Sequence, residues 1–150
     1  MSPTPRPRAQ RRRDTEDRLA RDVDAWVASA SPDGDPYLVP LSFDWDGEAL
    51  LMSTPTGSPT GRNLAETGLA RVGLGSTRDV AMIDGDVTVL PIDALSVETG
   101  DRFARRTGFD PRAETTPYSW FRIIPRRIQA WREVDEMPGR ELMRHGRWLV

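Results

Sequence analysis

The stretch Thr54-Pro55-Thr56-Gly57-Ser58-Pro59-Thr60-Gly61-Arg62-Asn63-Leu64 gathers hydroxyls, glycines and one guanidinium where a strand gives way to a helix. That mixture is the chemistry of anion binding. Ser58 followed by Pro59 reads as a helix N-cap with proline at the first helical position, and Gly68 reads as the stop. Unpaired N–H groups point out of a helix N-terminus and its dipole favours negative charge. Thr56, Ser58 and Thr60 can therefore donate to phosphate oxygens, and Arg62 adds a planar charged fork. The same residues also suit ordinary capping by Ser58 with the remainder as loop, so residue type alone does not separate a site from a cap.

Little else offers acid, base or metal chemistry. His145 is the single histidine, so a catalytic triad or a histidine-rich metal site would rest on it alone. Asp84-Gly85-Asp86 reads as a turn or bulge rather than a metal loop, and no metal is expected. The chain has no Cys, which excludes disulfides, zinc-thiolate sites and a Cys nucleophile and permits a reducing compartment; a cytoplasmic location is expected. Five tryptophans, Trp26, Trp45, Trp120, Trp131 and Trp148, read mainly as core or interface anchors. Of these, Trp120 and Trp131 are candidates to line a planar ligand and to leave apolar surface for a partner subunit.

These residues need a scaffold, and 150 residues fit one domain with a core of its own. A net charge of −2 gives no global attraction to nucleic acid or membrane, and neither is expected as a partner. No window approaches the roughly 20 apolar residues of a membrane-spanning helix. All 21 basic residues are Arg. Arg6, Arg8, Arg11, Arg12 and Arg13 lie in an Arg/Pro-rich arm that, with a short helical lead-in over 15–21, occupies residues 1–21. The arm reads either as a solvated tail or as a clamp on an anionic ligand.

The remainder reads as a run of strands. Residues 25–31 form the first, and the turn-rich Ser31-Pro32-Asp33-Gly34-Asp35-Pro36 leads into a strand over 37–45 with a two-residue period. Pro40 places that strand at an edge or a bulge. Asp46-Gly47 is expected to close a two-residue hairpin onto a strand over 48–54. After the helix that begins near Ser58, residues 69–76 and 80–89 return to strand, the latter with a bulge at Asp84-Gly85. A helix over 97–107 stops at Gly108, and two strands over 119–124 and 127–132 follow, separated by Pro125. The expected fold is mainly β: a six- to seven-stranded antiparallel split barrel over 22–133 with short peripheral helices, and a C-terminal tail over 134–150.

The order of these motifs resembles the pyridoxamine 5′-phosphate oxidase-like superfamily. The resemblance is carried by Ser29-Ala30-Ser31-Pro32-Asp33-Gly34, then Tyr37-Leu38-Val39-Pro40-Leu41, then Trp45-Asp46-Gly47 and the strand into Thr54. Ser58 to Leu64 is similar to the family's Ser-x-Lys-x-Arg-Asn-Leu helix start, and Ile124-Pro125-Arg126-Arg127-Ile128-Gln129-Ala130-Trp131 to its closing strand. The resemblance implies a homodimer with two cofactors at the subunit interface, either FMN or the deazaflavin F420, with haem in some branches. It implies that Thr54, Ser58, Arg62 and Asn63 contact the phosphate or ribityl chain, and that Val39, Pro40 and Leu41 pack near the ring. Thr60 departs from the pattern, standing where the family commonly has Lys, and so removes a point charge from the phosphate site. Two functions stay open: a redox enzyme whose cofactor performs hydride chemistry on a small molecule, or a non-catalytic relative that binds or senses a cofactor.

Overall fold

A computed structural model describes residues 4–150. Residues 1–3 of the Arg/Pro-rich arm lie outside the described residues. The chain runs α1 (Arg8–Arg21), β1 (Asp24–Ala30), β2 (Pro36–Ser42), β3 (Asp44–Trp45), β4 (Leu50–Pro55), α2 (Pro59–Thr67), β5 (Leu69–Ser76) and β6 (Asp79–Pro91). It continues as α3 (Val97–Thr107), β7 (Tyr118–Arg132), β8 (Glu141–Arg144) and β9 (Arg147–Trp148). None of these helices is long and apolar enough to cross a membrane.

All strand pairs are antiparallel, in the order β2-β1-β5-β6-β7-β4-β3, with β8 added to β7 and β9 to β8. The two ends of that order are consecutive in the chain, because only Phe43 separates β2 from β3. One residue cannot bridge the opposite edges of a flat sheet, so the sheet must curl until its edges meet there. Phe43 is fully buried at that corner, in a core built from alternating inward residues such as Val27, Leu50, Met52, Val72, Ile83, Phe121 and Ile123. A second, smaller cluster of Leu51, Phe103 and Trp120 fixes α3 against the outside of β4 and β7. The architecture is therefore mainly β, with seven strands before residue 133.

Local chemistry accounts for the helix limits. Ser58 caps α2 by accepting from the Gly61 N–H at 3.0 Å, Pro59 follows it, and Gly68 ends the helix in the left-handed conformation. Ser96 and Gly108 do the same for α3.

Several details depart from expectation. The strand expected over 37–45 breaks at Phe43, since that residue turns the corner. Trp45 pairs with Leu50, so the connection is a longer loop rather than a two-residue turn, held by Asp46 Oδ1 accepting from the N–H groups of Glu48 and Ala49 at 2.8 Å. The two expected final strands are one, because Pro125 sits opposite Gly85 at the β6 bulge, where the ladder needs no proline N–H. A Cβ on Gly85 would stand 2.5 Å from Ile123 Cγ2 and 2.9 Å from the Ile124 carbonyl oxygen. Gly85→Ala is therefore expected to destabilise the fold by about 1–3 kcal/mol, measured by denaturant unfolding.

The ends of the chain differ most. Rather than a solvated tail with one helical turn at 15–21, the arm enters a 14-residue helix at Arg8. Arg6 is drawn into a network in which its guanidinium donates to Glu136 at 2.7 Å, Asp14 at 2.9 Å and Asp79 at 3.2 Å. Arg11 donates to the carbonyls of Ala130, Glu136 and Pro138. Residues 134–150, read as a tail, form a short 3-10 turn and the β8–β9 hairpin. His145 and Gly146 make its turn, both with positive φ, so the single histidine occupies a hairpin tip.

Candidate functional site

The anion-binding candidates converge where β4 runs into α2. Thr54, at the end of β4, places its Oγ1 3.4 Å from Ser58 Oγ. Ser58 Oγ donates to the Pro55 carbonyl at 2.8 Å while accepting from Gly61, so its hydroxyl serves the cap. Thr56 Oγ1 pairs with Ser119 Oγ on β7 at 2.7 Å. Pro59 has no N–H and the Gly61 N–H is taken, which leaves the Thr60 N–H as the first-turn backbone donor without an acceptor among the described residues. Arg62 is exposed, donates to the Gly57 carbonyl at 3.0 Å, and has no carboxylate partner among the described residues. Asn63 is buried, donating to Ser29 Oγ at 3.2 Å and so fastening α2 to β1.

Thr60 is the anomaly in this group. Its side chain is 2% exposed and Oγ1 has no hydrogen-bond partner among the described residues. A buried hydroxyl left unpaired costs about 1–3 kcal/mol. Thr60→Val keeps the shape and removes the orphaned group, so it is expected to raise stability by about 1 kcal/mol in denaturant unfolding.

Beside the Thr54–Ser58 contact lies a cavity of about 270 Å³. Pro40, Leu41 and Ser42 of β2 form one side, Ser53, Thr54 and Pro55 of β4 the floor, and Phe103, Phe109 and Tyr118 an aromatic wall. Its position follows from the curl, which brings edge strand β2 over β4. Pro40 is tolerated because β2 pairs on one side only.

The structure thus brings together Pro40, Leu41, Thr54, Ser58 and Arg62 along one path from the cavity to the helix start. Val39 packs half-buried on the core. Trp120 is fully buried, donates from Nε1 to the Ile92 carbonyl at 3.0 Å and meets Phe103 edge-on at 5.0 Å between centroids. It supplies no surface for a ligand or a partner, contrary to the sequence expectation. Trp131 lines a different cavity with Thr77, Arg78, Glu133, Val134 and Met137. Sequence reasoning missed Ser42, Ser53, Phe103, Phe109 and Tyr118, which come from β2, β4, α3, the segment after it and β7, so no local motif joins them. Asp84 and Asp86 are spoken for by Arg71 and Arg126.

The donor chemistry suits one phosphate group, offering the Thr60 N–H and one unpaired cation, Arg62. The cavity suits the edge or one face of a planar ring, since its volume falls just below the ~300 Å³ at which enclosed ligand pockets begin.

A family model described as pyridoxamine 5′-phosphate oxidase matches residues 15–132. Among solved structures, an F420 reductase aligns with a TM-score of 0.62 and 21% identity, covering 75% of this chain and 94% of that one. HupZ of Group A Streptococcus aligns with a TM-score of 0.62 and 17% identity, over 81% of this chain and 94% of the other. A pyridoxamine 5′-phosphate oxidase-related, FMN-binding protein of Nostoc punctiforme aligns with a TM-score of 0.51 and 18% identity, over 82% and 78%. At these identities the likeness is one of fold. No curated protein matches the chain.

Proposed function

This chain belongs to the pyridoxamine 5′-phosphate oxidase family, and from that premise we propose that it is a redox protein binding FMN or the deazaflavin F420 between two copies of itself. The observation that supports it is the continuity of the site: the Thr54–Ser58 contact joins a ring-sized, uncharged cavity to the start of α2 and Arg62. A cofactor with a flat ring at one end and a phosphate further along spans that path. The Thr60 N–H and Arg62 hold the phosphate, Thr54 lies along its linker, the Ser58 cap sets the helix start that presents the Thr60 N–H, and Pro40 and Leu41 bear on the ring. Bound there, the cofactor supplies hydride transfer to or from a small molecule, and the chain's own residues bind, orient and exclude water. A second subunit closes a cavity that one chain leaves open at about 270 Å³.

A second reading, a non-catalytic cofactor-holding or haem-binding relative, is favoured by Thr60, whose side chain is buried and uncharged where the family commonly has Lys. Sedimentation velocity at micromolar protein, followed at the cofactor's absorbance band, separates the two. The redox reading expects a dimer carrying two molecules of FMN or F420. A monomer binding stoichiometrically contradicts the interface, a Soret band points to haem, and a colourless dimer that takes up neither cofactor supports a barrel without redox function.

A further inference from the structure

No charged side chain lines the cavity between β2 and β4. It carries four hydroxyls, and three are engaged within the protein. Ser42 Oγ donates to Asp24 at 2.6 Å, Ser53 Oγ donates to the Ser119 carbonyl at 2.8 Å, and Thr54 Oγ1 lies against Ser58 Oγ. The fourth belongs to Tyr118, the one ionisable residue on the lining. Tyr118 is half-buried, and its phenol has no hydrogen-bond partner among the described residues. Its backbone is fixed opposite Pro55 at the start of β7, and its ring is held 5.5 Å from that of Phe109, tilted by 51°.

We propose that Tyr118 positions the ring of the bound molecule, its phenol O–H donating to a heteroatom at the ring's edge while Phe109 fixes the phenol's orientation. The inference rests on the reading of this cavity as the ring site. A redox ring of the flavin or deazaflavin class exposes carbonyl and nitrogen acceptors, which need donors once water is excluded. Tyr118 is the side chain on the lining with a donor to spare. This subunit's lining carries no charged side chain, so the phenol is the unengaged dipole it can turn towards charge that accumulates there on reduction.

Tyr118→Phe keeps the ring's bulk and removes only the O–H. The test titrates wild type and Tyr118→Phe with FMN and with F420, reading both affinity and the emission lifetime of the bound molecule. A phenol in contact with an excited flavin donates an electron and shortens its lifetime, whereas a phenyl ring does not. The expected result is a Kd raised about 2- to 10-fold, the range for one hydrogen bond, with a longer bound-state lifetime and an unchanged apo Tm. Phe109→Leu, which frees the phenol without removing it, is expected to give a broader spread of lifetimes. Wild-type binding with identical affinity and lifetime in Tyr118→Phe overturns this inference alone. Absence of wild-type binding to either cofactor overturns the cofactor reading along with it.

Discussion

Replacing Glu136 with Ala is expected to lower the stability of the fold by about 3 to 5 kcal/mol, the range for removing one partner of a buried ion pair. Glu136 is fully buried, and it accepts from the Arg6 guanidinium, the Arg6 N–H and the Arg132 N–H at 2.7–2.8 Å. Removing the carboxylate leaves the Arg6 guanidinium, whose side chain is 10% exposed, with Asp14 and Asp79 alone, and leaves the Arg6 and Arg132 N–H groups without their acceptor. Burial by itself works against ionisation of Glu136, but the Arg6 side chain and the two backbone donors together prevail and hold its pKa at about 2, from an ordinary 4.5. The folded carboxyl thus stays ionised where the unfolded chain would take up a proton. Its contribution is fully present above pH 4.5 and drains away as the pH falls towards 2. Denaturant unfolding across that window should show the wild type losing stability more steeply than Glu136→Gln. Equal slopes would mean that the Glu136 carboxyl takes up its proton at the same pH in the folded and the unfolded chain.

Arg62→Ala is expected to weaken binding of FMN or F420 by about 1.5–3 kcal/mol, the range for hydrogen bonds to charged groups, with little change in apo stability. Arg62 is exposed and makes one bond, to the Gly57 carbonyl, so the fold hardly depends on it. Ser58→Ala provides the contrast. Ser58 holds the Gly61 N–H and the Pro55 carbonyl together, so its loss is expected to lower apo stability by about 1 kcal/mol. Titration at low and moderate salt, with parallel unfolding curves, separates the roles, because a phosphate contact weakens as salt rises. If Arg62→Ala lowers apo stability and leaves affinity alone, Arg62 is a structural residue.

What could be read from the sequence was local. Ser58-Pro59 and Gly68 frame α2 because cap chemistry acts within one helical turn, and the Asp84-Gly85 bulge was legible because glycine is the residue that tolerates the close approach of Ile123 and Ile124. The arm was illegible for the opposite reason. Arg6 and Arg11 look like a solvated charge run until their partners, Glu136 and the carbonyls of 130–138, arrive from the far end of the chain. Pro125 reads as a strand break, and only the pairing with Gly85 shows that the ladder passes through it. In the site, Thr54, Ser58 and Arg62 form a contiguous sequence motif, whereas Tyr118 and Phe109 reach the cavity only because β7 pairs with β4. Residue type leaves Trp120 open as a core anchor or a ligand-lining residue, and its burial against Phe103 and Leu51 places it in the core.

If the path from the β2–β4 cavity to Arg62 is a cofactor site, equilibrium titration of the purified protein with FMN and with F420, followed by their fluorescence, will register it. Saturable binding of one of them is predicted, competed by inorganic phosphate through the Arg62 end and lost progressively as salt rises. A titration with no saturable change in emission for either molecule, by a protein that is folded by its unfolding curve, would mean that this path holds neither cofactor.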